Sequence, residues 1–190
     1  MYTRDPAFWR AGAIASTLFM SAVLLILTVN SLDAITPGGS HVPLYDVINH
    51  QISYAYDSAR GEYVPKIGGR ELLFNHQYSE AEAKALIAKG KMVIQSRACM
   101  DCHTFFGNGA YYAPDLTRAW IDPVWDEYPG TKRGDAMAAF LMHPFRLGYH
   151  EMPNLHLNRA EADAAVAYLK WMSAVDTNGF PNGFGVAQAK

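Results

Sequence analysis

Cys99-Met100-Asp101-Cys102-His103 decides how this chain folds and what it carries. Two cysteines spaced C-x-x-C, with a histidine directly after them, form the attachment signature of a c-type haem. The thiols bond to the porphyrin edge, and the adjacent imidazole sits under the iron as proximal ligand. The chain holds 2 cysteines in 190 residues, so none remains for a structural disulfide or a second thiolate site. A structural zinc site would want four ligands, commonly from a second C-x-x-C or a spaced histidine pair. The other histidines (His41, His50, His76, His143, His150, His156) are scattered. A thioredoxin-like pair would need a βαβ context, whereas here a helical pattern precedes the motif and a Gly-rich loop comes after it.

Toward the N-terminus, the run AGAIASTLFMSAVLLILTVNSL from Ala11 to Leu32 carries no charged residue. Roughly 20 apolar residues cross the hydrocarbon core of a bilayer, so this run predicts one membrane span. Arg4 and Arg10 precede it, with Tyr2, Phe8 and Trp9 as interfacial aromatics. A cleaved signal peptide is the competing interpretation. Its apolar region is usually only about 7–15 residues long and ends at a small-residue site, so an uncleaved anchor is expected. Arginines on the N-terminal side place that end in the cytoplasm and the haem domain in the periplasm. Gly12 and Ser16, with Ala11 and Ala15 beside them, form a small-residue face that suits close helix packing in the membrane.

Between span and motif, Pro37-Gly38-Gly39-Ser40 breaks the helix, and Gly61, Pro65, Gly68 and Gly69 punctuate the next stretch. Tyr45, Val47, Ile48, Ile52, Tyr54 and Tyr56 make the segment too apolar for a disordered linker, so a short hairpin or a loop packed on a partner is expected. Ser79 with Glu82 forms a capping box, opening a helix to about Arg97. Ala83, Leu86, Ile87, Gly90, Val93 and Ile94 share one face of it. Asn158 with Glu161 opens a second helix, to about Val175, with Ala162, Ala165, Val166, Leu169 and Met172 as its stripe. Glycine inside a helix costs roughly 1 kcal/mol, and Gly90 predicts that these two helices cross there. A shorter helix from about Asp135 to His143 is stopped by Pro144. The resulting fold class is all-α: a single transmembrane helix (1–36), an intermediate segment (37–78) and a small cytochrome c-type haem domain (79–190).

A low-spin electron-transfer haem needs a ligand on its far side, and methionine there raises the potential. Met152, before Pro153 in the loop ahead of the last helix, is the candidate. His150 and His156 flank it, so bis-histidine ligation stays open. Met137, Met142 and Met172 fall on helices as core fillers, and Met92 and Met100 lie too near the motif. Metal-bound imidazoles usually donate their second N–H to an oxygen. Pro114-Asp115-Leu116 resembles the P-x-L element of small cytochromes c, whose proline carbonyl accepts that bond, which gives Pro114 this role toward His103.

The stretches CMDCHTFFGNGAYYAPDL (from Cys99), EMPN (from Glu151) and AYLKWMSAVDTNGFPN (from Ala167) make the chain resemble the cytochrome c subunit of bacterial nitric oxide reductase. The resemblance runs from about Leu86 to Asn182 and includes the single span. Residues 38–78 depart from it, since the span of such proteins runs almost directly into the haem domain. The resemblance implies a subunit that takes electrons from a soluble periplasmic donor, a small cytochrome c or a blue-copper protein. It implies delivery to a large polytopic subunit with haem b and non-haem iron, where NO is reduced to N2O. It also implies an interfacial calcium touched by the backbone carbonyls of Gly109 and Tyr111. Phe105, Phe106, Tyr111 and Tyr112 would face that partner or pack on the porphyrin. A monohaem subunit of a haem–copper oxygen reductase and a free membrane-anchored carrier are the alternatives.

The net charge is −2. From Cys99 onward 10 acidic residues face 7 basic ones, which is no nucleic-acid footprint. Asp122, Asp126 and Glu127 would steer a basic donor or form a solvated loop.

Overall fold

The computed structural model describes residues 4–127, 131–144 and 152–180. The chain divides into two compact units, Met1–Val42 and Pro43–Lys190. Tyr2, His150, Glu151, Pro181 and Asn182 lie outside the described residues.

The first unit is built on α1 (Pro6–Ile35), a helix of 30 residues. Asp5 caps it by accepting the Ala7 N–H at 2.9 Å, and Pro6 sits in the first turn, where its missing N–H costs nothing. At 1.5 Å per residue the helix is about 45 Å long, enough to cross a bilayer. No residue of α1 is buried within the unit, so its apolar surface faces outward on all sides. Two of its hydroxyls bond back to the helix: Ser16 donates to the Ala13 carbonyl at 3.1 Å and Thr28 to that of Leu24 at 2.8 Å. In a bilayer, where no water competes, that matters.

The second unit is organised around two helices, α2 (Glu80–Ser96) and, last in the chain, α4 (Arg159–Met172). Both expected capping boxes are formed, Ser79 with Glu82 and Asn158 with Glu161. Ala83, Ile87, Gly90, Val93 and Ile94 of α2 are buried against α4, whose Ala162, Ala165, Val166, Leu169 and Met172 are buried in turn. They cross at Gly90: a Cβ there would lie 2.0 Å from the Ala164 carbonyl oxygen. The helix α3 (Arg133–Met142) packs on α4 from another side.

The last helix ends at Met172, short of the expected Val175. Residues 174–175 tighten into i→i−3 bonds, Ala174 N–H to the Trp171 carbonyl (3.0 Å) and Val175 N–H to that of Met172 (3.2 Å), and the buried Arg118 guanidinium takes up the end carbonyls of Ser173 (3.4 Å) and Val175 (3.0 Å). The same guanidinium stacks on Tyr54 at 4.4 Å and hydrogen-bonds Thr177.

Residues 43–78 belong to this unit. They lie in the same compact unit as the helices α2 to α4. The segment carries an antiparallel hairpin of β1 (His50–Asp57) and β2 (Glu62–Arg70), so the mostly helical unit includes strands. Pro65 fits because both strands are edges. Val47, Ile48, Ile52 and Leu73 join the core. Tyr54 donates to the Ser173 carbonyl at 2.9 Å, and Arg60 forks onto Asp176 at 2.5 and 3.2 Å. Lys170 of α4, with 0% exposure, reaches Glu71 at 2.8 Å and lies 4.6 Å from the Trp120 ring centroid. Val47, Ile48 and Ile52 thus find their apolar surroundings within the chain, whereas Leu44, Tyr56 and Ile67 are exposed.

Candidate haem site

The site begins where α2 stops. Ala98 turns into the left-handed region with φ 54°, and Cys99–Asp101 then form a tight 3₁₀ turn. The Cys99 carbonyl accepts the N–H groups of both Cys102 (3.3 Å) and His103 (2.9 Å). One short turn thus carries both thiols and the imidazole. Cys99 is buried, Cys102 half-buried, and both thiols are free. Burial pushes the Cys99 thiol up from its ordinary value.

His103 Nδ1 lies 2.7 Å from the Pro114 carbonyl oxygen. A carbonyl can only accept, so Nδ1 carries the proton and Nε2 keeps its lone pair for a metal. The two thiols of one turn and an imidazole held in that tautomer fit a covalently attached haem. Among the described residues, no three His, Cys, Asp or Glu side chains converge as a closed zinc site would require.

Around this turn the chain doubles back. The strands β3 (Thr104–Phe105) and β4 (Asn108–Gly109) pair as a miniature hairpin. At Gly109, φ is 130° and a Cβ would lie 2.2 Å from the His103 carbonyl oxygen, so a side chain there would collide with the proximal segment. Residues 113–117 run alongside: Ala113 N–H donates to the Cys102 carbonyl and Leu116 N–H to that of Thr104, each at 2.8 Å. Asp115 ties them together. Its carboxylate accepts from Thr104 Oγ1 (2.6 Å), Gly107 N–H (3.1 Å) and Thr117 N–H (2.8 Å). Burial pushes this carboxyl up, but the hydrogen bonds from Thr104, Thr117 and Gly107 outweigh it and hold the group below the usual carboxylate range. Sequence reasoning passed over Asp115. The D-L-T spelling, with a carboxylate two residues before a Thr N–H, is the turn signal that would have pointed to it.

Met152 is half-buried and packs against the core in the loop before α4. His156 in the same loop is exposed, with φ 54° and its N–H bonded to Asn154 at 2.8 Å. Met137 and Met172 are core residues on α3 and α4, Met142 is half-buried, and Met92 and Met100 are exposed. Phe105 is buried and lies 5.9 Å from the Tyr168 ring. Phe106, Tyr111 and Tyr112 are exposed, Tyr111 to 84%. Gly109 is exposed as well, and the Tyr111 hydroxyl donates to the Gly107 carbonyl at 2.6 Å. In the acidic loop, Asp126 is paired to Arg133 at 2.5 Å, and Asp122 accepts the Val124 N–H at 3.0 Å. Two of its three carboxylates thus have local work.

A helix pair crossing at a glycine, a C-x-x-C-H turn and an imidazole hydrogen-bonded to a proline carbonyl together define a c-type cytochrome domain. The cytochrome c family model matches residues 87–173. The chain is 30% identical over 112 residues to the C subunit of nitric oxide reductase from Stutzerimonas stutzeri, covering 58% of this chain and 75% of that one. The match to the same subunit from Paracoccus denitrificans is also 30%, over 108 residues, covering 54% and 69%. With its counterpart from Cereibacter sphaeroides it is 28% over 116 residues, covering 56% and 76%. The chain belongs to the family of nitric oxide reductase C subunits, and its cytochrome c domain implies haem c.

Proposed function

We propose that this chain is the electron-accepting subunit of a membrane nitric oxide reductase. It holds one haem c through Cys99 and Cys102, with His103 and Met152 as the axial ligands of its iron. The observation that supports this most is the 2.7 Å hydrogen bond from His103 Nδ1 to Pro114, 11 residues further along the chain. Bound there, the haem supplies a one-electron Fe(III)/Fe(II) couple.

The protein's part is to orient and to tune. Pro114 fixes the tautomer and plane of the His103 ring. Met152 sulfur raises the reduction potential relative to a second histidine. Held by both His103 and Met152, the iron would offer no open position to NO, and the chain itself would be non-catalytic. NO is reduced to N2O on a large polytopic partner carrying haem b and non-haem iron. The donor is a soluble periplasmic protein, a small cytochrome c or a blue-copper protein. Arg4 and Arg10 keep the N-terminus of α1 cytoplasmic, and the unit from Pro43 onward is periplasmic. Gly12 and Ser16 seat α1 against a helix of the partner. Backbone carbonyls of Gly109 and Tyr111 contribute to a calcium at the boundary. Calcium takes six to eight oxygens, so the partner supplies most of its ligands.

Mild-detergent purification followed by rapid mixing with reduced donor tests this. Reduction of haem c ahead of haem b, in a complex that turns over NO, is the expected result. A complex containing copper that consumes O2 and not NO refutes it. In the ferric chain, the sulfur-to-iron charge-transfer band should vanish in Met152→Ala. Its persistence would remove Met152 from the iron.

A further inference from the structure

We propose that Asp115 is a positioning residue for His103: its carboxylate sets the distance between the His103 ring and the Pro114 carbonyl. This rests on the ligation of haem iron by His103 proposed above.

Pro114 has no N–H and cannot lock itself into a ladder. Its carbonyl is placed by its neighbours. On one side, Ala113 N–H bonds the Cys102 carbonyl at 2.8 Å. On the other, Asp115 takes three donors. Two come from the opposing segment, Thr104 Oγ1, directly after His103, and Gly107 N–H; the third is Thr117 N–H from its own segment. Thr117 completes the clasp by accepting the Phe106 N–H at 2.8 Å. The Thr104 and Thr117 side chains in this clasp are buried. The two segments are therefore laced on both sides of the His103–Pro114 bond, and on the far side the Asp115 carboxylate joins the Leu116 N–H to Thr104 carbonyl bond (2.8 Å) and the Phe106 N–H to Thr117 bond.

The consequence is electronic. An imidazole that donates strongly from Nδ1 is a more basic ligand, and a more basic ligand favours ferric iron. Loosening the clasp weakens that donation and tips the couple toward the reduced form. Asp115→Asn keeps the shape and one accepting oxygen, but its amide nitrogen cannot accept, so the donors at one of the two carboxylate oxygens lose their partner. It also removes a negative charge, which acts in the same direction. Thr104→Val removes one donor and leaves the charge, so it isolates positioning from field.

The experiment uses the full-length haem-loaded chain in detergent. Potentiometric titration gives the midpoint, and paramagnetic NMR gives the exchange rate of the His103 Nδ1 proton. In Asp115→Asn the reduced form should gain about tenfold, equivalent to about 59 mV for one electron, with proton exchange faster by a similar factor. Thr104→Val should move both in the same direction by a smaller factor. A shift in Asp115→Asn alone, with Thr104→Val unchanged in both readouts, would overturn the proposal in favour of a charge effect. No change in either variant would reduce Asp115 to a turn former. If Asp115→Asn fails to mature, Thr104→Val decides by the same criteria. A wild-type chain with no hyperfine-shifted exchangeable imidazole proton would instead refute the ligation by His103.

Discussion

Replacing Gly90 by alanine should destabilise the unit spanning Pro43–Lys190, although alanine is the better helix former. The added Cβ would sit 2.0 Å from the Ala164 carbonyl oxygen, 2.7 Å from its carbon and 2.8 Å from Tyr168 Cβ. Comfortable contact needs roughly 3.5 Å, so the helices must separate by roughly 1.5 Å. The obstructing atoms are mostly backbone, and no rotamer change relieves them. Overpacking of this kind costs about 1–3 kcal/mol, and a backbone neighbour puts this case near the upper end. Helix propensity returns about 1 kcal/mol. The net loss is about 2 kcal/mol, which for a unit of this size lowers Tm by about 4–8 °C. Thermal unfolding of the haem-loaded chain, followed by far-UV circular dichroism, measures it. A Gly90→Ala chain as stable as the wild type, or more so, would show that α2 and α4 do not approach backbone to backbone.

Three further outcomes rest on individual residues. Ala98 holds φ 54° just before the first thiol, a conformation that costs a non-glycine residue about 1–2 kcal/mol. Ala98→Gly should therefore stabilise by about 0.5–1 kcal/mol in denaturant titration, after the entropic cost of glycine. Lys170 is fully buried against a half-exposed Glu71. Lys170→Met should be neutral or stabilising, whereas Glu71→Ala, which strands the ammonium, should cost about 1–2 kcal/mol; the reverse order in urea midpoints would contradict this. The Asp115 carboxyl is held below its ordinary value, chiefly by Thr104, Thr117 and Gly107 against the opposing pull of burial. Its stabilising effect is therefore present above the unfolded value of about 3.9 and is lost as pH falls through the lower folded value. Acid titration of stability should be steeper below about pH 4 in the wild type than in Asp115→Asn.

Local signals in the sequence carried far. Each capping box needs only four consecutive residues, so Ser79–Glu82 and Asn158–Glu161 marked their helices directly. Gly90 advertised the crossing because an interior glycine is costly without a close neighbour. The C-x-x-C-H turn and Pro114 were readable for the same reason: the bond between His103 and Pro114 spans 11 residues. What stayed hidden depends on distant partners. Lys170 meets Glu71 across 99 residues, and Arg60 meets Asp176 across 116. Neither pairing has a periodicity to betray it. This is why residues 43–78, whose apolar pattern was plain, could not be assigned to the cytochrome unit from pattern alone. Lys170 falls outside the apolar stripe of α4, yet it is buried because α4 packs against α2, α3 and residues 45–49.

Covalent attachment of haem is the claim on which everything else stands, and extraction measures it most directly. The purified chain is denatured, washed with acidified acetone, and its pyridine haemochrome recorded. Retention of one haem per polypeptide, abolished in the Cys99→Ser/Cys102→Ser double variant, is the result expected. A colourless chain, or pigment that leaves with the solvent, would contradict it.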